Sequence, residues 1–165
     1  MEEKKISKPF FNLASFGKRM EYWIIGEMLR QGLDVYTPLV DDKGIDAIVR
    51  RPDGTYVEVQ IKARSKDIIP AHAALFAGVK CEVKPNYWFI FHSASVGETG
   101  TMWIMTAKEF MENASQNKTG KQVGSSTIWF NGYKFNKATG KKEAYVKPQF
   151  EKYVCKNFNR LLGGY

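Results

Sequence analysis

A hairpin signal in the first half of the chain limits the possible folds more than any other segment. Pro52-Asp53-Gly54 separates residues 45–50 from residues 56–64, and such a turn between segments rich in β-branched residues predicts a β-hairpin. Side chains alternate between the two faces of a strand, so the second segment has one apolar face and one wet face. The apolar face would carry Val57, Val59, Ile61 and Ala63, and the wet face Tyr56, Glu58, Gln60, Lys62 and Arg64.

The segments around the hairpin predict an α/β fold with a central mixed β-sheet flanked by helices. A helix is expected over residues 16–31, with Ser15 as its N-cap and Gly32 ending it. The nearly continuous apolar run of residues 86–92 predicts a strand buried on both faces. The other expected elements are strands at residues 34–39 and 101–106, a further strand or hairpin arm at residues 127–135, helices at residues 107–113 and 150–162, a mixed segment at residues 65–84 and a loop at residues 114–125.

Length and composition favour one domain, residues 1–165, that needs no structural staple. A chain of 165 residues with 44% hydrophobic residues can bury a sizeable core. Cys81 and Cys155 are too few for a disulfide framework. No apolar run reaches the roughly 18 residues that span a bilayer, and the charged start MEEKKISKPF lacks the apolar core of a signal peptide. We therefore expect a cytoplasmic protein with no membrane segment.

The positive charge of the chain is concentrated at its C-terminal end. Residues 1–116 contain fifteen basic and fifteen acidic residues, whereas residues 117–165 contain ten Lys and Arg against two Glu, so the whole excess of +8 lies there. Nine aromatic residues are interleaved with these cations. Lysines neutralise phosphates and aromatic rings stack on bases, although a solvated face over an aromatic core has the same composition. We expect a core at residues 15–116 and a basic aromatic extension at residues 117–165 packed on it.

The hairpin geometry brings three polar residues towards one point. Asp46 lies near the open end of the first strand, and residue pairs across a hairpin move away from the turn together. Asp46 is therefore expected near Gln60 and Lys62. The preceding helix adds Glu21, a carboxylate among apolar residues that requires a partner. A simple salt bridge between Glu21 and Lys62 or Arg19 would also satisfy that requirement.

These residues resemble the PD-(D/E)XK nuclease superfamily. Gly44-Ile45-Asp46, followed across the hairpin by Gln60-Ile61-Lys62, is similar to the family's core motif, and Gly17-x-x-x-Glu21 is similar to the acidic helix position of its resolvase-like members. Gln60 stands where the family name has Asp or Glu, as in a Gln-x-Lys branch that resembles some intron-encoded homing endonucleases. The resemblance covers residues 15–64 and the strands that follow, and it implies a restriction-endonuclease-like core.

The resemblance also implies a metal-dependent phosphodiesterase acting on DNA. Asp46 and Glu21 would hold Mg²⁺ or Mn²⁺, with the Gln60 amide and the Ile61 carbonyl as further oxygen ligands, and Lys62 would contact the scissile phosphate. Many relatives cut as dimers, so a homodimer is possible. The cations expected to contact DNA backbone phosphates are Arg64, Lys66, Lys134, Lys137, Lys141 and Lys142.

Three alternatives stay open at the level of sequence. Glu58-Val59-Gln60 is a second alignment of the motif, which leaves Lys62 without a role. The neutral Gln60 also fits a nucleic-acid-binding module that keeps the fold and has lost cleavage. Finally, the basic extension could meet an acidic protein instead of DNA; a steep salt dependence of binding distinguishes phosphate contacts from that case.

Overall fold

The computed structural model describes residues 13–40 and 43–163. Helix α1 spans Leu13–Arg30. Ser15 therefore lies inside the first turn, and its predicted N-cap role is wrong; its hydroxyl accepts a hydrogen bond from the Arg19 guanidinium at 2.7 Å. Gly32 ends the helix as predicted, with φ of +84° and the Leu33 N–H bonded to the carbonyl of residue 28 at 3.0 Å.

The centre of the molecule is a five-stranded mixed sheet. Its strands are β1 Asp34–Tyr36, β2 Ala47–Arg50, β3 Tyr56–Arg64, β5 Tyr87–Ser93 and β6 Thr101–Thr106, whereas β4 (Leu75–Val79) belongs to a second sheet. The strand order is β1-β2-β3-β5-β6. β3 and β5 are parallel and all other neighbours are antiparallel. All seven residues of β5 are buried, which confirms the strand predicted from the apolar run.

Two apolar layers cover the two faces of this sheet. Helix α1 covers one face, and a second sheet with helix α2 (Ala107–Asn113) covers the other. The α1 side is packed with Ile24, Met28, Val49, Val59 and Ile90, and the opposite side with Phe89, Phe91, Trp103, Phe110 and Phe130. The predicted α/β fold with a mixed central sheet flanked by helices is therefore confirmed.

The second sheet joins segments that are far apart in the chain. It has the order β4-β8-β7, in which β7 is Ser115–Gln116 and β8 is Ser126–Trp129. The segment at residues 65–84 thus contains a short 3-10 turn, Pro70–His72, and β4. The loop predicted at residues 114–125 contains β7 and a second 3-10 turn. Pairing between β4 and β8 spans about fifty residues of sequence, which local patterns do not show.

A separate two-stranded hairpin follows the second sheet. The strand or hairpin arm predicted at residues 127–135 is present as two strands: the chain breaks at the fully buried Phe130 and enters β9 (Asn131–Asn136), which pairs with β10 (Lys141–Val146) as a hairpin. We call residues 131–146 the basic ribbon. Asn131 anchors it, because its buried side chain donates to the Pro70 carbonyl at 2.8 Å and accepts from the Ala74 N–H at 2.7 Å.

The helix predicted at residues 150–162 is wrong. Two 3-10 segments, Pro148–Tyr153 and Asn159–Leu162, stand in its place. Between them the backbone of Val154 bridges Trp103 of β6, and the Cys155 N–H donates to the carbonyl of residue 102 at 2.9 Å. Apolar residues do recur at helical spacing between Phe150 and Leu162, but pairing of Val154 with the edge of the central sheet overrides helix formation. Within the described residues, no helix is both long and apolar enough to cross a membrane.

Candidate active site

The Asp46 carboxylate is fixed at the open end of the β2–β3 hairpin. The register pairs Ala47 with Val59, and the Asp46 N–H donates to the Val59 carbonyl at 2.9 Å. The Asp46 Oδ2 atom accepts a hydrogen bond from the Ile61 N–H at 2.6 Å. A carboxylate offers about four acceptor positions, so Asp46 can keep this bond and still bind a cation. This contact places Asp46 beside the Gln60–Lys62 segment.

The Gln60 side chain is buried on the neighbouring strand. It is 9% exposed, and among the described residues its Oε1 atom has no hydrogen-bond partner. A buried acceptor without a partner is costly, and such groups in folded proteins call for a role. A carboxylate at the same depth would also carry a desolvation cost for its charge. The neutral amide therefore suits this position, and its buried carbonyl oxygen has no hydrogen-bond partner among the described residues.

The Glu21 carboxylate of α1 and Asp46 line one small cavity of about 70 Å³. The partner of Glu21 is Lys18, whose Nζ lies 2.6 Å from Glu21 Oε1, and not Lys62 or Arg19. The hydrogen bond to Glu21 raises the pKa of Lys18, and the charge of Asp46 adds to this effect. Because the Lys18 ammonium lines the same cavity, the cavity already accommodates one positive charge.

The cations predicted after Asp46 differ in their surroundings. Lys62 is partly exposed beside Phe91 of β5, and across residues 13–40 and 43–163 its ammonium makes no ion pair. The Arg64 Nε atom donates to the Leu75 carbonyl at 2.8 Å, and burial lowers the pKa of this guanidinium. Lys66 is exposed and lines a cavity of about 370 Å³ with Arg19. Lys62 is thus the cation beside Gln60 whose charge is available.

Glu58, the acid of the alternative alignment, faces another part of the surface. Its side chain is 26% exposed, and the Lys84 Nζ atom lies 4.0 Å from its Oε2 atom. Both residues line a cavity of about 440 Å³ that, within the part of the chain the structure describes, shares only Ile45 with the Glu21 cavity. Asp46, in contrast, binds the backbone N–H of Ile61, inside the Gln60-Ile61-Lys62 segment.

The basic ribbon presents the remaining predicted cations to solvent. Lys134, Lys137, Lys141 and Lys142 are all exposed. Aromatic rings accompany them: Phe135 is 61% exposed, and Lys142 Nζ lies 5.2 Å from the Tyr133 ring centroid. Strand β10 was not predicted from the sequence. The alternation of Tyr133, Lys134 and Phe135, followed by the turn glycine Gly140, which has a φ of +67°, is the signal that would have indicated a hairpin here.

The donor set fits a hard divalent cation. Within the described part of the chain, no three His, Cys, Asp or Glu side chains come together as a metal site. The cavity instead holds two carboxylates, Asp46 and Glu21, and the unpartnered amide oxygen of Gln60 belongs to the residue before Ile61, whose N–H binds Asp46. Mg²⁺ is typically bound by one or two carboxylates with other oxygen ligands and several waters. Nitrogen or sulfur ligands suited to zinc are not part of this set.

Comparisons with known proteins bear on the fold. No family model matches the chain, and no curated protein matches its sequence. The solved structure of a bacterial homing endonuclease, I-Ssp6803I, superposes on it with a TM-score of 0.55, over 87% of this chain and 89% of the homing endonuclease, at 16% sequence identity. The chain thus has an α/β fold similar to that of this homing endonuclease.

Proposed function

We propose that this protein is a metal-dependent DNA endonuclease that hydrolyses phosphodiester bonds. One observation carries the proposal: the Asp46 carboxylate binds the Ile61 N–H between Gln60 and Lys62 and lines a common cavity with Glu21. Asp46 and Glu21 thus line one cavity, and Asp46 is bound to the backbone between the Gln60 amide and the Lys62 ammonium. The fold shared with a homing endonuclease supports the same function.

Each residue has a separate task in this proposal. Asp46 and Glu21 would hold a Mg²⁺ or Mn²⁺ ion, with the Gln60 amide and the Ile61 carbonyl as further oxygen ligands. When bound, the cation makes a water more acidic and offsets charge on the phosphate oxygens. The Lys62 ammonium contacts the scissile phosphate and orients the attacking water. Lys18, whose ammonium lies 2.6 Å from Glu21 Oε1, would compete with the ion for this carboxylate.

The basic ribbon, together with Arg64 and Lys66, forms the DNA surface in this proposal. Each lysine that neutralises a phosphate adds about 0.9 to the slope of log affinity against log salt. Replacing Lys134, Lys137, Lys141 and Lys142 by glutamine should therefore reduce that slope by up to about 3.6. The slope is measured by fluorescence anisotropy with a labelled DNA duplex at several salt concentrations.

A matched variant controls for the loss of four charges. Lys108, Lys121, Lys152 and Lys156 are equally exposed and lie outside the ribbon. Their replacement by glutamine should change the slope much less than the ribbon variant does. An equal loss of slope in both variants would show that the ribbon has no special part in DNA binding.

Plasmid cleavage tests the function directly. The purified protein should nick or linearise supercoiled plasmid in Mg²⁺ or Mn²⁺, and EDTA should stop the reaction. Lys62→Ala should reduce the rate at least about a hundredfold, the size expected for loss of one preorganised group that stabilises transition-state charge. Lys108→Ala, which removes an exposed lysine of α2, should leave the rate unchanged.

The second candidate function is a DNA-binding module without cleavage, and the neutral Gln60 favours it. In that case the wild-type protein binds plasmid with a steep salt dependence but cuts neither duplex, branched nor single-stranded DNA in either metal. Cleavage that is equally fast in Lys62→Ala would instead point to a contaminating nuclease.

One site per chain leaves two routes to a double-strand break, a homodimer or two successive nicks, and the time course of nicked and linear plasmid distinguishes them.

A further inference from the structure

The segment before Asp46 is held by a residue outside the motif. The Tyr87 hydroxyl of β5 donates a hydrogen bond to the Gly44 carbonyl at 3.2 Å. Tyr87 is 6% exposed, and its ring packs edge-on against Phe89 with centroids 5.2 Å apart. The hydroxyl is therefore fixed by a rigid strand, and through it the backbone two residues before Asp46 is tied to the central sheet.

Gly44 also shapes the surroundings of the Gln60 amide. Its φ of +69° lies in the left-handed region that favours glycine. A Cβ at this position would collide with Gln60 Nε2 and would come within 3.8 Å of the Tyr87 hydroxyl oxygen. The absence of a side chain thus lets the amide lie directly against the backbone of residue 44. Any larger residue would displace the amide from the position that leaves its Oε1 atom unpartnered.

These contacts link two of the proposed ligands, Gln60 on β3 and Asp46 just before β2. Tyr87 holds Gly44, Gly44 borders the Gln60 amide, and Asp46 follows two residues later on the same segment. We propose that Tyr87 and Gly44 are positioning residues that fix the Gln60 amide and the Asp46 carboxylate as oxygen ligands for a divalent cation. The inference rests on the proposed function, since it concerns the same cation, and it assigns roles that the motif does not contain.

Metal affinity measures the role of Tyr87 without relying on cleavage. Groups that orient the ligands of a metal typically change its affinity by about 10- to 100-fold when they are lost. Tyr87→Phe removes only the hydroxyl and should weaken Mn²⁺ binding at least about tenfold, as measured by isothermal titration calorimetry without DNA. Gly44→Ala should weaken it further, because it displaces the amide itself.

Tyr153→Phe is the matched control. Tyr153 is also a buried tyrosine, 3% exposed, whose hydroxyl oxygen accepts a hydrogen bond from Asn113 at 3.1 Å, on a different segment. It should keep the wild-type Mn²⁺ affinity. Thermal melting of both tyrosine variants without metal shows whether they lose similar stability. A weaker affinity confined to Tyr87→Phe then reports positioning and not general loosening.

The outcomes separate the inference from the function on which it rests. Wild-type affinity for Mn²⁺ in Tyr87→Phe would overturn the positioning role while leaving the metal site in place. An equal loss in Tyr87→Phe and Tyr153→Phe would also overturn it. A wild-type protein that binds no Mn²⁺ would overturn the metal site itself. If Gly44→Ala does not fold, the comparison of the two tyrosine variants still decides the question.

Discussion

Asp46→Asn should reduce plasmid cleavage about a thousandfold, because loss of a metal ligand removes several kcal/mol of transition-state stabilisation and each 1.4 kcal/mol is a factor of ten. The substitution keeps the shape of the side chain, and an amide oxygen can still accept the Ile61 N–H bond that Asp46 Oδ2 accepts at 2.6 Å. The loss then reports the missing charge and not a disturbed hairpin. Cleavage rates in saturating Mn²⁺, with Mn²⁺ affinity measured in parallel, test this expectation.

The same hairpin provides the control for Asp46→Asn. Asp53 lies in the turn at the other end and accepts hydrogen bonds from Thr55 at 2.9 and 2.7 Å. Asp53→Asn removes an identical charge from the same supersecondary element and should leave both cleavage and metal binding unchanged. A cleavage rate for Asp46→Asn within tenfold of wild type would contradict the assignment of Asp46 as a metal ligand.

Phe130→Ala should lower the free energy of unfolding by about 4 kcal/mol, within the range for truncation of a fully buried phenylalanine. Phe130 is 0% exposed, and its ring stacks on Trp103 at a centroid distance of 4.6 Å. It also contacts Phe91 at 5.1 Å and Phe150 at 4.9 Å. The side chain joins the central sheet, the second sheet and the C-terminal 3-10 segment, so the cavity left by alanine lies where three elements meet.

Urea denaturation followed by tryptophan fluorescence measures the effect of Phe130→Ala. Phe135→Ala makes the same chemical change five residues later, where the ring is 61% exposed on the basic ribbon. Surface substitutions of this kind usually change stability by less than about 0.5 kcal/mol. Similar losses in the two variants would contradict the central position of Phe130 in the core.

Short-range geometry explains what could be predicted from the sequence. The turn at Pro52-Asp53-Gly54 sets the register of the hairpin, and the register alone brings Asp46 to the level of Gln60. The fully buried strand β5 was predicted because its apolar run has no polar interruption until His92. Glu21 was predicted to need a partner; Lys18, three residues earlier on the same helix face, was the partner that helical spacing offers.

Long-range pairing explains what could not be predicted. The C-terminal stripe from Phe150 to Leu162 has helical periodicity, but Val154 pairs with Trp103 about fifty residues earlier. The strand breaks at Phe130, where the ring packs against Trp103, Phe91 and Phe150, which are distant in the chain. In the same way, the contact of Tyr87 with Gly44 joins residues 43 positions apart, and no local pattern indicates that a tyrosine of β5 would hold the segment before Asp46.

The attachment of the basic ribbon has a consequence for how the protein changes during evolution. Asn131 ties the ribbon to residues 70–74, while the ribbon's outer side chains, including Lys134, Phe135 and Lys142, point into solvent. Substitutions at such positions have little effect on folding. If the ribbon contacts DNA as proposed, its side chains can change at little cost in stability, while the residues around Asp46 remain as they are.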